Sequence, residues 1–480
     1  MSYTDIFKQL QAELTMTTNK PNDHNKHSRY QINKCGGRRV LIHNAPFIFT
    51  CDDNAKMQIL KNHSIVIEAD KIIDVIEATK INSNNFDVIY DAGKRGGTVI
   101  TPGFINTHAH SPMYLMRSVM MLDEGEGVDE TIAAMPLWER QMTDQDVTVA
   151  AIGDITEQQK YGITSILSHY GVMHPIDDAA RLTRQNIINA VSAVSNTHPQ
   201  NSPEWLENLF KEQSKNYAKM AIAIHYLYKA TPLIMTKIKN LTEKYNTLFT
   251  FHMAESPMVE ENCIRTFGLR ETEVLEKFGL LNNQTIASHA IHLKNGEINK
   301  LVATKVGISH LPTSNTIHKS GVFPFWKFWD ANGFARLTLG TDSVVSKSRL
   351  DLLTEAYQTR ITHLYERTVK FSSLFKMMTV NGARVLHLTN RARIAKGFQA
   401  DINFWKLKDR GCIPFDENNP ITLLGNIITH GGRTVRDLMI NGQFIIKNRK
   451  HQFIDESKML EILQKSHMDM RRRVSAKKYC

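Results

Sequence analysis

The sequence predicts an α/β fold, a (β/α)8 TIM barrel with a small β-sandwich formed from both flanking segments, and three features carry that prediction. Eight apolar runs of strand length alternate with amphipathic stretches between residues 98 and 341, the pattern of parallel βα units. Metal-ligand side chains close several of these runs, and distant strand ends meet at one point when a sheet curls shut. Short β-branched runs separated by turn residues stand on both sides of this stretch, as in a small antiparallel sheet. A doubly wound open sheet is the alternative, but it would spread the strand ends along a line.

Taken in order, residues 1–37 are polar, rich in Asn, His and Lys, and close on Cys-Gly-Gly; they read as an extension, partly disordered or a short helix. Val40-Leu41-Ile42, Phe47 to Thr50, Ser64 to Ile67 and Ile72 to Ile76 follow as short strands. The barrel strands are then Thr98 to Thr107, Gly162 to His169, Asn186 to Ser195, Lys219 to Tyr226, Thr247 to His252, Gln284 to His289, Lys305 to Ser309 and Ala335 to Thr341. Glu271 to Phe278 and Asp351 to Tyr365 are examples of the helices between them. Beyond Leu388 short strands return at Ile394 to Gly397 and Ala400 to Phe404, and Val435 to Ile446 reads as a hairpin through Asn441-Gly442. The expected units are therefore 38–98 with 390–455 as a composite sandwich, 99–389 as the barrel, and 456–480 as a C-terminal helix and basic tail.

Composition excludes several classes. No apolar stretch approaches the roughly 18 residues of a membrane span, and Met1 to Lys20 mix charged and amide residues where a secretory signal would be apolar. A cytoplasmic protein with no membrane contact is expected. Cys35, Cys51, Cys263, Cys412 and Cys480 are odd in number and scattered, which fits neither a disulfide framework nor a thiolate zinc site. The net charge is +11, yet the dense basic run is Arg471 to Arg473 with Lys477 and Lys478, a solvated tail without the aromatic interleaving of a nucleic-acid surface.

His108 and His110 lie one residue apart after the first apolar run, so alternate strand positions point both imidazoles the same way. His252, His289 and Asp342 each end a later run. His108, His110, His252 and Asp342 offer three nitrogens and one oxygen, a set that binds one divalent metal ion, Zn2+ first and Fe2+ or Mn2+ as alternatives, with a position left for water. Glu255, three residues after His252, is placed to carry a proton between that water and the substrate. His289 is placed to orient or polarise the nucleophile, while His292 and His310 read as core histidines.

Pro-Gly-Phe-Ile-Asn-Thr-His108-Ala-His110, His252-Met-Ala-Glu255, Ala-Ser-His289, His310-Leu-Pro-Thr-Ser-Asn315 and Gly340-Thr-Asp342-Ser343 together resemble the signatures of the amidohydrolase superfamily. The chain is most similar there to the chlorohydrolase and heterocyclic-amine deaminase branch, with its S-adenosylhomocysteine/methylthioadenosine deaminase-like and guanine deaminase-like members. The likeness runs from about residue 38 to residue 450. It implies a mononuclear metal site on His108, His110, His252 and Asp342, with Glu255, His289 and Asp342 catalytic. It also implies that Glu139 and His225 contact the substrate, a small heterocycle, and that the protein assembles as a dimer or larger.

Departures from the family pattern fall around the substrate. Ala-Ala-Met-Pro-Leu-Trp138 replaces the usual Trp-Leu before Glu139, Leu122 to Asp129 is rich in Asp, Glu and Gly, and Ser343-Val344-Val345 followed by Ser346-Lys347-Ser348 stands where Ser-Asn-Asn is frequent. His225 occupies the position of the modified lysine of binuclear members, although Lys229 is near, which favours one metal. The expected reaction is hydrolytic deamination of an amino-substituted purine, pterin or triazine-like ring. Hydrolysis of an amide, a cyclic imide or a carbon-halogen bond is the competing chemistry, and a non-catalytic scaffold the competing class.

Overall fold

The computed structural model describes residues 3–15, 38–94, 96–117, 119, 127–347 and 349–478. The sequence expectations for 16–37, for Leu122 to Glu126 and for Ser348 lie outside the described residues. Among the described residues, seventeen strands form two sheets. The first holds β1 (Arg39–Cys51), β2 (Met57–Glu68), β3 (Lys71–Glu77), β4 (Val88–Asp91) and β5 (Thr98–Pro102). The second, wholly parallel, runs through β6 (Phe104–Ala109), β7 (Ile163–Tyr170), β8 (Asn186–Ser192), β9 (Lys219–Ala223), β10 (Phe249–Met253), β11 (Thr285–His289), β12 (Gly307–His310) and β13 (Leu337–Leu339). The chain then rejoins the first sheet with β14 (Ile402–Lys406), β15 (Asp437–Ile440), β16 (Gln443–Lys447) and β17 (Lys450–His451).

Each strand of the second sheet pairs with its sequence neighbour, and the ring shuts where Ala109 bridges Asp342 in parallel. The backbone N–H groups of Thr341 and Asp342 both donate to His108 O at 3.0 Å. Thr107 Oγ1 adds contacts across the seam to Ser309 Oγ and Thr338 Oγ1, at 2.8 and 2.7 Å. The strands from β9 to β13 are almost entirely buried, as strands covered on both faces must be. This is the TIM barrel that the alternating pattern predicts.

The run Thr98 to Thr107, which reads as one strand in sequence, is two. Thr98–Pro102 pairs with β1 and β14 in the first sheet, and the barrel strand begins at Phe104. Gly103 makes the crossing, because any Cβ there would overlap the Thr164 side chain. We expect Gly103→Ala to cost about 1–3 kcal/mol, the penalty of overpacking a rigid interior, read as a lower urea midpoint at unchanged slope.

The first sheet joins both flanking segments through β5 and β14 and folds over its own core. Tyr90 of β4 packs on Phe404 and Phe444, from strands it does not pair with, at centroid distances of 4.8 and 5.8 Å. Its hydroxyl donates to Asp437 at 2.6 Å. Asn441 and Gly442 make the hairpin turn with φ of 49° and 73°, the left-handed pair that a type I′ turn requires. Ile394 to Gly397, expected as a strand, is irregular chain pinned by Thr50 Oγ1 and Ile72 O. A 23-residue helix, Glu456–Lys478, ends the described chain and packs on the helix Asp144–Lys160.

Candidate active site

The histidines converge because strand ends converge. His108 lies in β6 and His110 directly follows its last residue, His252 lies in β10, and Asp342 follows β13 across the seam. His110 Nε2 sits 3.1 Å from His108 Nε2 and 3.2 Å from His252 Nε2, and Asp342 Oδ1 lies 3.4 Å from His110 Nε2. Ligands on a tetrahedral ion with bonds near 2.1 Å stand roughly 3.4 Å apart, so the spacing is that of a metal shell.

The opposite edges of the rings fix which nitrogen faces inward. His110 Nδ1 donates to His169 O at 2.8 Å and His252 Nδ1 to His225 O at 2.9 Å. A carbonyl only accepts, so both imidazoles present a bare Nε2 lone pair to the centre. His108 Nδ1 faces Ser288 Oγ at 2.8 Å, a hydroxyl able to accept its hydrogen. Burial, with neighbouring imidazoles, holds His108 and His252 well below the ordinary histidine range, so they are neutral, as ligands must be. Burial pushes the Asp342 carboxyl up, but His110, His289, His108 and the Ser314 hydroxyl outweigh it and keep the group ionised. The donor set therefore fits a divalent metal.

Glu255 and His289 stand over this cluster. His289 Nε2, buried with no hydrogen-bond partner among the described residues, lies 3.5 Å from Glu255 Oε1 and 3.9 Å from Asp342 Oδ2. Its Nδ1 is tied to Asn315 Oδ1 at 2.8 Å. Tyr226 donates its hydroxyl to Glu255 Oε2 at 2.7 Å. Burial raises the Glu255 pKa, Asp342 adds to the rise, and His289 and Tyr226 oppose it. The loop carrying Glu255 is pinned at both ends. Ala254, with φ of 46°, gives its N–H to Glu271 Oε2 at 2.6 Å, and Ser256 caps the helix Pro257–Phe267. His289 and Asp342 themselves hold φ of 67° and 58°, a left-handed strain of the kind that clusters at functional sites.

The remaining expected residues line a pocket opening from this cluster under the helix Val128–Glu139. Glu139 hydrogen-bonds the Tyr170 hydroxyl; burial raises its pKa, and Tyr170 and Lys229 pull the other way. His225 lies two residues beyond the end of β9, where a strand end was expected, and Lys229 Nζ donates to its Nδ1 at 2.9 Å. His292 and His310 stand apart from the cluster, on Ser320 O at 2.8 Å and on His363 Nε2 at 3.2 Å.

Other side chains at the site carry no role in the sequence reading. Ser314 donates to Asp342 Oδ2 at 2.6 Å and Asn315 holds His289; both sit in the quoted His310 to Asn315 segment, which was the available signal. His318 lines the pocket on Ser346 Oγ at 3.1 Å, with no signal in the sequence. His169 lies at the cluster's edge, and its sequence signal is a histidine at the end of the second run.

The model of the amidohydrolase family matches residues 99–445. A 5-methylthioadenosine/S-adenosylhomocysteine deaminase of Pyrococcus abyssi is 27% identical over 420 residues, 84% of this chain and 93% of that protein. In fold the chain resembles an atrazine chlorohydrolase of Arthrobacter aurescens TC1 complexed with zinc, at TM-score 0.79 and 18% identity, over 89% of this chain and 100% of that one. It also resembles an adenosine deaminase of Xanthomonas campestris with bound zinc, at TM-score 0.81 and 20% identity, over 90% and 98%. With a family model matched across the whole barrel, this chain belongs to the amidohydrolase family.

Proposed function

We propose that this protein is a hydrolytic deaminase that removes an amino group from an aromatic N-heterocycle of the purine, pterin or triazine kind, at one divalent metal ion. The observation that carries the reading is the convergence of three Nε2 lone pairs and the Asp342 carboxylate beneath the Glu255–His289 pair. Zinc is the first choice, as imidazole and carboxylate suit it, and iron and manganese take the same donors. His108, His110, His252 and Asp342 would hold the ion, and the chemistry it would supply there is a lowered pKa for the attacking water.

The protein's own groups do the rest. Glu255, oriented by Tyr226, accepts the proton of the attacking water and returns it to the departing amine or to the adjacent ring nitrogen. Its raised proton affinity suits both transfers. His289, fixed through Nδ1 by Asn315, aims Nε2 at the reacting centre and orients the nucleophile. Asp342, with one oxygen tied to Ser314, keeps its negative charge beside the imidazoles. Glu139 and His225 grip the ring, and Lys229, donating to His225 Nδ1, leaves the other ring nitrogen of His225 to carry the hydrogen toward the ligand. We place the protein in the cytoplasm, consistent with the free, buried thiols of Cys51, Cys263 and Cys412, as a dimer or larger assembly.

The test is product analysis against aminated purines and their nucleosides, pterins and triazines. Ammonia with the matching oxo-heterocycle is expected; chloride or a ring-opened acid without ammonia rejects deamination. Glu139→Gln should lower kcat/KM by roughly 10- to 100-fold, the value of a hydrogen bond to a charged group, chiefly through KM.

A further inference from the structure

Ala254, the residue before Glu255, is fully buried, so its backbone groups must find partners inside the protein. Its carbonyl receives the N–H groups of Ile291 and His292, at 3.2 and 3.0 Å, from the loop that follows His289. Its own N–H goes to Glu271 Oε2 at 2.6 Å. Arg270, the adjacent residue, reaches the other loop. Its Nη2 donates to His292 O at 2.8 Å, while Nε and Nη2 grip the Glu297 carboxylate at 2.9 and 2.8 Å. Two consecutive side chains thus hold, one each, the loops that carry Glu255 and His289, and those two side chains face one another at 3.5 Å. Glu271 is itself fully buried, and its other oxygen has no hydrogen-bond partner among the described residues. Burying a carboxyl is costly, and the side-chain hydrogen bond that this one makes is to the loop of Glu255. Burial, with Glu260 adding to it, raises the Glu271 pKa against the pull of the Ala254 N–H and Arg270, so a neutral amide is a close match for the group.

We propose that Arg270 and Glu271 are positioning residues, a clamp that sets the spacing of Glu255 and His289 by holding Ala254 N–H and His292 O. This rests on the deaminase reading above and adds the device that fixes its proton carrier. Neither residue lines the pocket beside the cluster, so both act on turnover through the loops rather than on the ligand. Ala254 holds φ of 46°, a conformation that a residue with a Cβ keeps only where its surroundings impose it, and Glu271 is the side chain that meets its N–H.

The test is steady-state kinetics, on the aminated heterocycle that the wild type turns over fastest, together with amide hydrogen exchange of residues 253–256, for the wild-type full chain, Glu271→Ala and Glu271→Gln. Glu271→Ala should lower kcat by roughly 10- to 100-fold, the cost of a misplaced catalytic group, with KM within about 2-fold and metal content unchanged. Its 253–256 segment should exchange faster. Glu271→Gln, which keeps an oxygen for the Ala254 N–H, should restore both readouts. Wild-type kcat in Glu271→Ala, a rise in KM alone, or a Glu271→Gln as slow as the alanine variant overturns the proposal. A wild type that releases ammonia from no heterocycle overturns the deaminase reading instead; exchange at 253–256 then decides the clamp, which stands if Glu271→Ala speeds it and falls if it does not. If Glu271→Ala does not fold, Arg270→Lys, which keeps the charge but loses the fork that spans Glu297 and His292 O, decides by the same readouts.

Discussion

Glu255→Gln is expected to lower kcat by roughly 10²–10⁴-fold, the span contributed by a positioned general acid–base, while the metal content stays at the wild-type level. The reasoning is geometric. Glu255 lies off the ligand shell, with one oxygen on the Tyr226 hydroxyl and the other 3.5 Å from His289 Nε2. Glutamine keeps the shape and one carbonyl acceptor for Tyr226 but cannot accept and return a proton. The loss should therefore fall on kcat and kcat/KM together, the signature of a group acting in the transition state. Steady-state kinetics alongside metal analysis make the check; unchanged turnover removes Glu255 from the chemistry, and a parallel loss of metal assigns it to the shell instead.

The barrel and the convergence of His108, His110, His252 and Asp342 at its rim were legible because both obey local rules. A parallel strand buried on two faces must be apolar along its length, so a histidine or aspartate that ends such a run stands out, and barrel topology gathers those ends at one rim. Gly103 shows where this fails. Thr98 to Ala109 is continuously buried, and although Pro102-Gly103 interrupts it, the residues on either side do not reveal that the halves pair in different sheets. Ser314, Asn315 and Ser288 were unassigned for another reason. Each holds His108, His289 or Asp342 from 26 to 180 positions away in sequence, and such pairing exists only once the strands are side by side. The pocket beside the cluster was least legible, since Lys229 and His318 owe their placement to loops beyond β9 and β12 rather than to any periodicity.

Removing Asp342 should be the most damaging change to metal retention. Asp342→Ala deletes the one oxygen donor and the one negative charge among three neutral imidazoles, and frees the Ser314 hydroxyl that holds it. Ser288→Ala, by contrast, leaves every donor in place and removes only the group behind His108 Nδ1. An outer partner of that kind is worth roughly 10- to 100-fold in metal affinity, so Ser288→Ala should fall in that range and Asp342→Ala should exceed it. Both follow from dialysis against a graded chelator with metal analysis of the retained protein. Equal effects would mean that Asp342 is a spectator to the imidazoles, since a carboxylate that shares the ion must cost more to lose than a hydroxyl one bond removed. Circular dichroism of the metal-free forms separates stability from binding: Ser288→Ala should match the wild type, whereas Asp342→Ala should be somewhat less stable, because Asp342 holds φ of 58°, a conformation alanine tolerates less well than aspartate.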